Sequence, residues 1–112
     1  MINPKAEIDP NGIDQHAAGS KLDAGKIQAA VLADFSRALT AVAEVGTFGA
    51  NKYTRGGWQS VPNGLERYTD ALWRHLLKEQ IDTIDPDSEL THAAHMAWNA
   101  LARLELILRE EQ

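Results

Sequence analysis

From Lys26 onward, apolar residues recur at three- and four-residue spacing, and no stretch alternates with the period of two that a half-buried strand needs. That periodicity confines the chain to helices packed on helices. A first helix is predicted over residues 26–45, with Val31, Phe35, Ala38, Val42 and Val45 on its apolar face and Leu32 and Leu39 widening it. Gly46 interrupts the pattern, and residues 47–53 read as a short or bent helical turn. Paired glycines and Pro62 mark a loop over 54–62. Asn63, with Glu66 three residues on, resembles a capping box. The helix it opens carries Leu65, Tyr68, Leu72 and Leu76 on one face and ends near Ile81. Residues 82–88 form the next break, where Pro86 suits a first helical turn and Asp85 or Ser88 can cap. The last helix runs to about Glu110, with a core stripe of Leu90, Ala94, Ala97, Leu101, Leu104 and Leu108. The fold class is therefore all-α: a small bundle of three main helices with a short extra helical turn. With 112 residues the chain can bury one modest core, so completion by a second copy, as a homo-oligomer (dimer or tetramer), is expected.

Residues 1–20 show neither helical nor alternating patterning, and they read as a mobile N-terminal arm before a helical domain over 21–112. The formal net charge is −5, which argues against a partner with a long phosphate backbone such as a nucleic-acid duplex. It leaves room for a single nucleotide, whose charge a few cations or a carboxylate-held metal can offset. There are no cysteines, which removes disulfides, thiolate metal sites and thiol nucleophiles. The first residues lack the apolar core of a signal peptide, and no apolar run approaches the ~20 residues that span a bilayer. A cytoplasmic protein with no membrane partner is expected.

Several residues break the helical pattern. His92, His95 and Asn99 share one face of the last helix, which continues as Ala102 and Leu106. Such a face should be partly buried, and its polar groups then need partners. They either bond neighbouring helices or line a cavity of the kind in which bundles build metal and substrate sites. Glu44 lies near a helix C-terminus, where the helix dipole disfavours a carboxylate; it is either solvated or held by a metal or a cation. Asp82 and Asp85 flank the start of the histidine-bearing helix, while Glu79 and Glu89 read as solvated. Lys21, Lys26, Lys52, Arg55, Arg67 and Arg74 supply cations, and the phosphate-loop pattern is absent. His75, between Leu72 and Leu76, faces partly inward. Trp58, Trp73 and Trp98 can pack or can stack on a base, and Trp58, in a loop, is the best stacking candidate.

Taken in order, these features resemble one family. Lys21-x-Asp23-x-Gly25-Lys26 looks like its opening motif, and Glu44 with Phe48-Gly49-Ala50-x-Lys52-Tyr53 and Trp58 like its second. Arg67-Tyr68, Ala71-Leu72 and Arg74-His75-Leu76 look like the third. Asp85-Pro86-Asp87-Ser88 with His92, His95 and Asn99 looks like the fourth. The ordered set resembles the phage-type dATP/dGTP diphosphohydrolases, relatives of the MazG-like all-α nucleoside-triphosphate pyrophosphohydrolases. The resemblance implies an enzyme of phage nucleotide metabolism that uses Mg2+ or Mn2+ to cut a purine deoxynucleoside triphosphate into monophosphate and pyrophosphate. MazG-type enzymes show Glu-x-x-Glu where this chain has Glu44 and Thr47, and the glycine typical after Asp-x-Ser is Glu89 here.

The expected site follows. Glu44, Asp82, Asp85 and His92 hold the metal, and Glu44, Asp85, His95 and Asn99 carry the chemistry, the last two orienting water or sugar. Lys21, Lys26, Lys52, Tyr53, Trp58, Arg67, Arg74 and His75 bind the nucleotide (dATP, dGTP or a related purine nucleotide), with Lys26, Lys52 and Arg74 on phosphate oxygens and Trp58 or Tyr53 on the base. The alternative is a sponge that sequesters a nucleotide or a nucleotide-derived immune signal without cutting it. A purely structural helical module is the third reading.

Overall fold

A computed structural model describes residues 7–110 of the chain. The chain forms two compact units, Met1–Asp34 and Phe35–Gln112. Of the expected N-terminal arm, residues 1–6 lie outside the described residues. In the first unit the buried Asp9 carboxylate accepts backbone N–H groups of Asn11 (2.8 Å), Ile13 (3.3 Å) and Lys21 (2.8 Å). Those bonds, that of Lys21 foremost, hold its carboxyl below the ordinary range.

The fold class is all-α, as expected. A 3-10 helix, Ala29–Phe35, comes first, then α1 (Ser36–Lys52), a second short 3-10 helix (Gly57–Ser60), α2 (Gly64–Glu79) and α3 (His92–Glu110). Among the described residues there is no strand, only an isolated bridge between Ile84 and Thr91, and no helix is long and apolar enough to cross a membrane.

Helix boundaries differ from the sequence reading in instructive ways. α1 starts about ten residues late, after the 3-10 helix, and continues through Gly46 to Lys52. Gly46 does not end the helix, because its missing side chain serves packing: a Cβ there would lie 3.3 Å from the Trp98 indole nitrogen. Asn63 occupies the expected N-cap position of α2, but in a left-handed conformation (φ 56°) and without a side-chain cap bond. The third helix is capped by neither Asp85 nor Ser88. Thr91 does this instead, its hydroxyl accepting the Ala94 N–H at 3.1 Å.

The second unit is built on α3, which packs chiefly on α2 and also on α1. Thr69 fastens α2 to α3 by accepting Arg103 Nε at 2.6 Å. Tyr68 donates its hydroxyl to the Trp58 carbonyl at 2.6 Å, and Trp58, Tyr68 and Trp98 meet edge to face at 5.7–6.2 Å. The buried face of α3 is the polar stripe His92, His95, Asn99 and Ala102, with Ala94 beside it. Leu101, Leu104 and Leu108, expected in the core, are 44–50% exposed. On the 3-10 helix and α1, Val31, Leu32, Phe35 and Leu39 are exposed as well, and Val45 is the buried member of the expected stripe.

The loop between α2 and α3 is tied back on itself. Asp85 N donates to Leu90 O (2.8 Å), Glu89 N to Asp85 O (2.8 Å) and His92 N to Thr83 O (3.0 Å). The turn forces Glu89 to φ 63°, a left-handed backbone that favours glycine. Glu89→Gly is therefore expected to stabilise the protein by ~0.5–1 kcal/mol, the relief of left-handed strain exceeding the chain entropy that glycine adds. Urea unfolding would read this as a higher midpoint at unchanged slope; a lower midpoint would count against the strain argument.

Candidate functional site

Three elements converge where α2, the 82–91 loop and the first turn of α3 meet. α2 contributes His75, the loop Asp85 and Ser88, and α3 His92 and His95. Among the described residues His92 is the most deeply buried large side chain, 1% exposed, with Asp85 and His95 each at 8%. The Nδ1 atoms of His75 and His92 are 2.9 Å apart, so one proton lies between them, one ring donating and the other accepting. The His75 and His95 rings stack at 4.4 Å with 9° between their planes. Ser88 is the hinge of the cluster. Its backbone N–H (3.1 Å) and hydroxyl (2.9 Å) meet Asp85 Oδ2, and the same hydroxyl lies 2.7 Å from His95 Nε2.

Electrostatics keep this cluster low in positive charge. Burial lowers His75 to about 4, with the neighbouring His95 and His92 rings adding to the effect. Burial also lowers His95, against the pull of Asp85. The 3.7 Å approach of His95 to Asp85 is thus a dipolar contact with a neutral ring near pH 7. Burial pushes the Asp85 carboxyl up, but the two hydrogen bonds from Ser88 outweigh it and hold the group below the ordinary carboxylate value.

A pH dependence follows. Unfolded, His75 takes up a proton near its ordinary 6.5; folded, only near 4. Between those values the unfolded state binds more protons, so stability is full above about 6.5 and falls as pH drops toward 4. Solvent around the half-buried ring screens the effect, leaving a loss of ~1 kcal/mol. The depressed Asp85 adds a loss only below its ordinary 3.8. Thermal melts in chelator should fall between pH 7 and 4.5, and His75→Gln should flatten that slope; identical slopes would contradict the assignment.

The structure brings some of the expected site residues together and leaves others apart. Asp85, His92, His95 and His75 share the cluster. Asn99 is buried one turn beyond, its amide donating to the His95 carbonyl at 2.8 Å. Lys52 ends α1 nearby: Phe48, one turn earlier, meets the His95 ring edge-on at 6.4 Å, and Lys52 Nζ lies 5.6 Å from the Phe48 ring. Lys52 pairs with Asp87 at 2.8 Å, a hydrogen bond that raises its pKa. Tyr53 is 76% exposed beside it. Glu44 and Asp82 are exposed and stand outside the grouped ligand atoms of His75, Asp85 and His92. Arg74 is exposed on α2, Arg67 donates to Pro62 O at 3.3 Å, and Trp58 is engaged by Tyr68, Trp98 and the Arg109 guanidinium. Lys21 and Lys26 belong to the first unit, both exposed, with Lys26 3.7 Å from Glu7. Ser88, read from sequence as a possible cap and as part of the fourth motif but given no role in the site, is the residue the sequence reasoning missed. Its position three residues after Asp85 and four before His92 was the available signal.

The second unit is thus an all-α unit with a buried histidine–aspartate cluster between two of its helices. A family model described as dATP/dGTP diphosphohydrolase, N-terminal, matches residues 16–112. The chain belongs to that family, and the resemblance carried by the four motifs is borne out. No curated protein and no solved structure matches the chain.

Proposed function

We propose that the chain hydrolyses a purine deoxynucleoside triphosphate to monophosphate and pyrophosphate with the help of a divalent ion, and that the buried cluster of the second unit is where this happens. The observation that carries the reading is the convergence of His75, Asp85 and His92, whose ligand atoms all lie within 4.8 Å of one another, in a chain of a dATP/dGTP diphosphohydrolase family. Asp85 and His92 are metal ligands in this reading, with His75 joining them in place of Glu44 and Asp82. Two imidazoles and one carboxylate suit manganese better than magnesium, which prefers oxygen throughout. An ion held there would offset the triphosphate's charge.

The chain's own groups divide the remaining tasks. His95 is neutral near pH 7; because Ser88 gives its one hydroxyl proton to Asp85 Oδ2, the His95 ring donates Nε2–H to the Ser88 oxygen and keeps Nδ1 as the atom that can take a proton. Asn99 fixes the backbone turn that carries His95. Lys52, exchanging Asp87 for phosphate oxygens, and Arg74, next to His75, bind the polyphosphate. Tyr53 offers an exposed ring for the base, whereas Trp58 is already packed. Phage nucleotide metabolism is the setting the family resemblance supports.

The test is product analysis. Pure protein with manganese should release pyrophosphate from dATP or dGTP and little from dCTP or dTTP, and Asp85→Asn should slow it by ~100-fold or more. One observation favours the second reading, a non-catalytic sponge: Asp85 is the sole carboxylate of the cluster. No pyrophosphate from any deoxynucleotide, with a raised melting temperature on adding dATP or dGTP, would overturn hydrolysis in favour of sequestration.

A further inference from the structure

We infer that His75, Asp85 and His92 form a site for a first-row transition-metal dication of the manganese, cobalt and zinc class, not a magnesium site. The inference shares residues with the proposed hydrolysis but does not require cleavage.

Two imidazole Nδ1 atoms 2.9 Å apart and facing each other cannot both be protonated or both bare without repulsion. The shared proton is bonded to one ring and accepted by the other, and its release leaves two lone pairs directed at one position. A metal with bonds of ~2.0–2.1 Å to each nitrogen needs those nitrogens roughly 3 Å apart at adjacent coordination positions. The observed gap meets that with a shift of a few tenths of an ångström at most. The Asp85 carboxylate completes the set, all three ligand atoms lying within 4.8 Å of one another.

His92 is 1% exposed and Asp85 8%, so neither ligand is free to swing. Asp85 Oδ2 is held by the Ser88 N–H and hydroxyl. The His95 ring, itself fixed by Ser88, stacks on His75 and sets its plane. Ligands oriented by outer partners in this way are the ordinary construction of a metal site.

Nitrogen donors select transition ions, whereas magnesium asks for oxygens and keeps much of its water. Glu44 and Asp82, which would supply further oxygens, are exposed and outside the group. Three protein donors also leave coordination positions open, the pattern of a site that receives a further ligand rather than one that only braces a fold.

The experiment is a titration of the full chain, stripped with chelator, with MnCl2, CoCl2, ZnCl2 and MgCl2 alone, read by calorimetry and, for cobalt, by visible absorption. One ion per chain is expected, with cobalt and zinc bound at least ~100-fold tighter than magnesium. His75→Gln and Asp85→Asn should each weaken cobalt by ~10-fold or more and change its visible bands, while Glu44→Gln and Asp82→Asn leave both unchanged. Circular dichroism keeps the comparison to variants that fold; His75, less buried than Asp85, is the safer of the two. Cobalt bound no tighter than magnesium, or Glu44→Gln weakening it as much as His75→Gln, would overturn the site. Turnover of dATP with magnesium and no cobalt site sinks this inference and leaves hydrolysis standing; a cobalt site with no turnover in any ion does the reverse.

Discussion

Replacing His92 by alanine is expected to cost ~2–4 kcal/mol of stability and to lower the melting temperature by roughly 10 °C or more. The side chain is 1% exposed, so its removal leaves a void that the surrounding helices fill only in part. It also strips His75 of its partner at 2.9 Å, leaving a polar nitrogen facing that void, at the desolvation cost of an unmade hydrogen bond. In a domain whose whole stability is on the order of 5–10 kcal/mol, this loss is severe. Arg74→Ala, one residue before His75 but exposed, should stay within ~0.5 kcal/mol of the parent. Thermal melts of the two variants side by side check the claim. A His92→Ala protein melting within about 2 °C of the parent would show that the polar stripe is not the core of α3.

That stripe shows how far the sequence can be read and where it stops. Helical periodicity locates faces, and α3 has two, the leucine face and the His92–His95–Asn99 face. Hydrophobicity favours the first as core, yet within one chain α3 turns the second toward α2. Spacing cannot tell which partner each face meets, and a leucine face awaiting a second copy looks the same as one already buried. His92 and His95 were legible because polar groups aligned on a half-apolar face need an explanation, and Asp85 because it flanks the start of the helix that carries them. Ser88 was not, because a serine in an acidic turn has an easier reading as a cap. Glu44 drew attention through the helix dipole, but α1 continues to Lys52, two turns past it, so the argument from a helix end lost its premise. Gly46 misled for a related reason: a glycine in a helix signals a stop or a close approach, and only the position of Trp98 decides between them. The pairing of Lys52 with Asp87, 35 residues away, lies beyond any local pattern.

The exposed leucine face leads to the second large effect. Leu101, Leu104 and Leu108 are 44–50% exposed on α3, and Leu39 is 40% exposed on α1. Between these helices runs a groove of about 440 Å³, floored by Gly46, Trp98 and Ala102 and walled by Val42, Leu101, Leu104 and Leu108. Val45, Ala94 and Ala102 are the buried apolar residues among the described ones, a small core that leaves much apolar surface uncovered. A second copy laying its own α1–α3 face on this groove would bury the leucines of both chains, each worth ~1.5–3 kcal/mol when fully covered, and turn two open helix pairs into a four-helix seam. Glutamates at the centre of that seam would place like charges, desolvated, across the two-fold axis at a cost of several kcal/mol. The parent is therefore expected to run as a dimer or tetramer in size-exclusion chromatography with light scattering, and Leu101→Glu/Leu104→Glu to run at the 12.3 kDa of one chain. Circular dichroism should show the helices retained in the variant, because both positions face outward in the single chain. A parent already at monomer mass, or a double variant that keeps the parent's mass, would remove this face as the site of assembly.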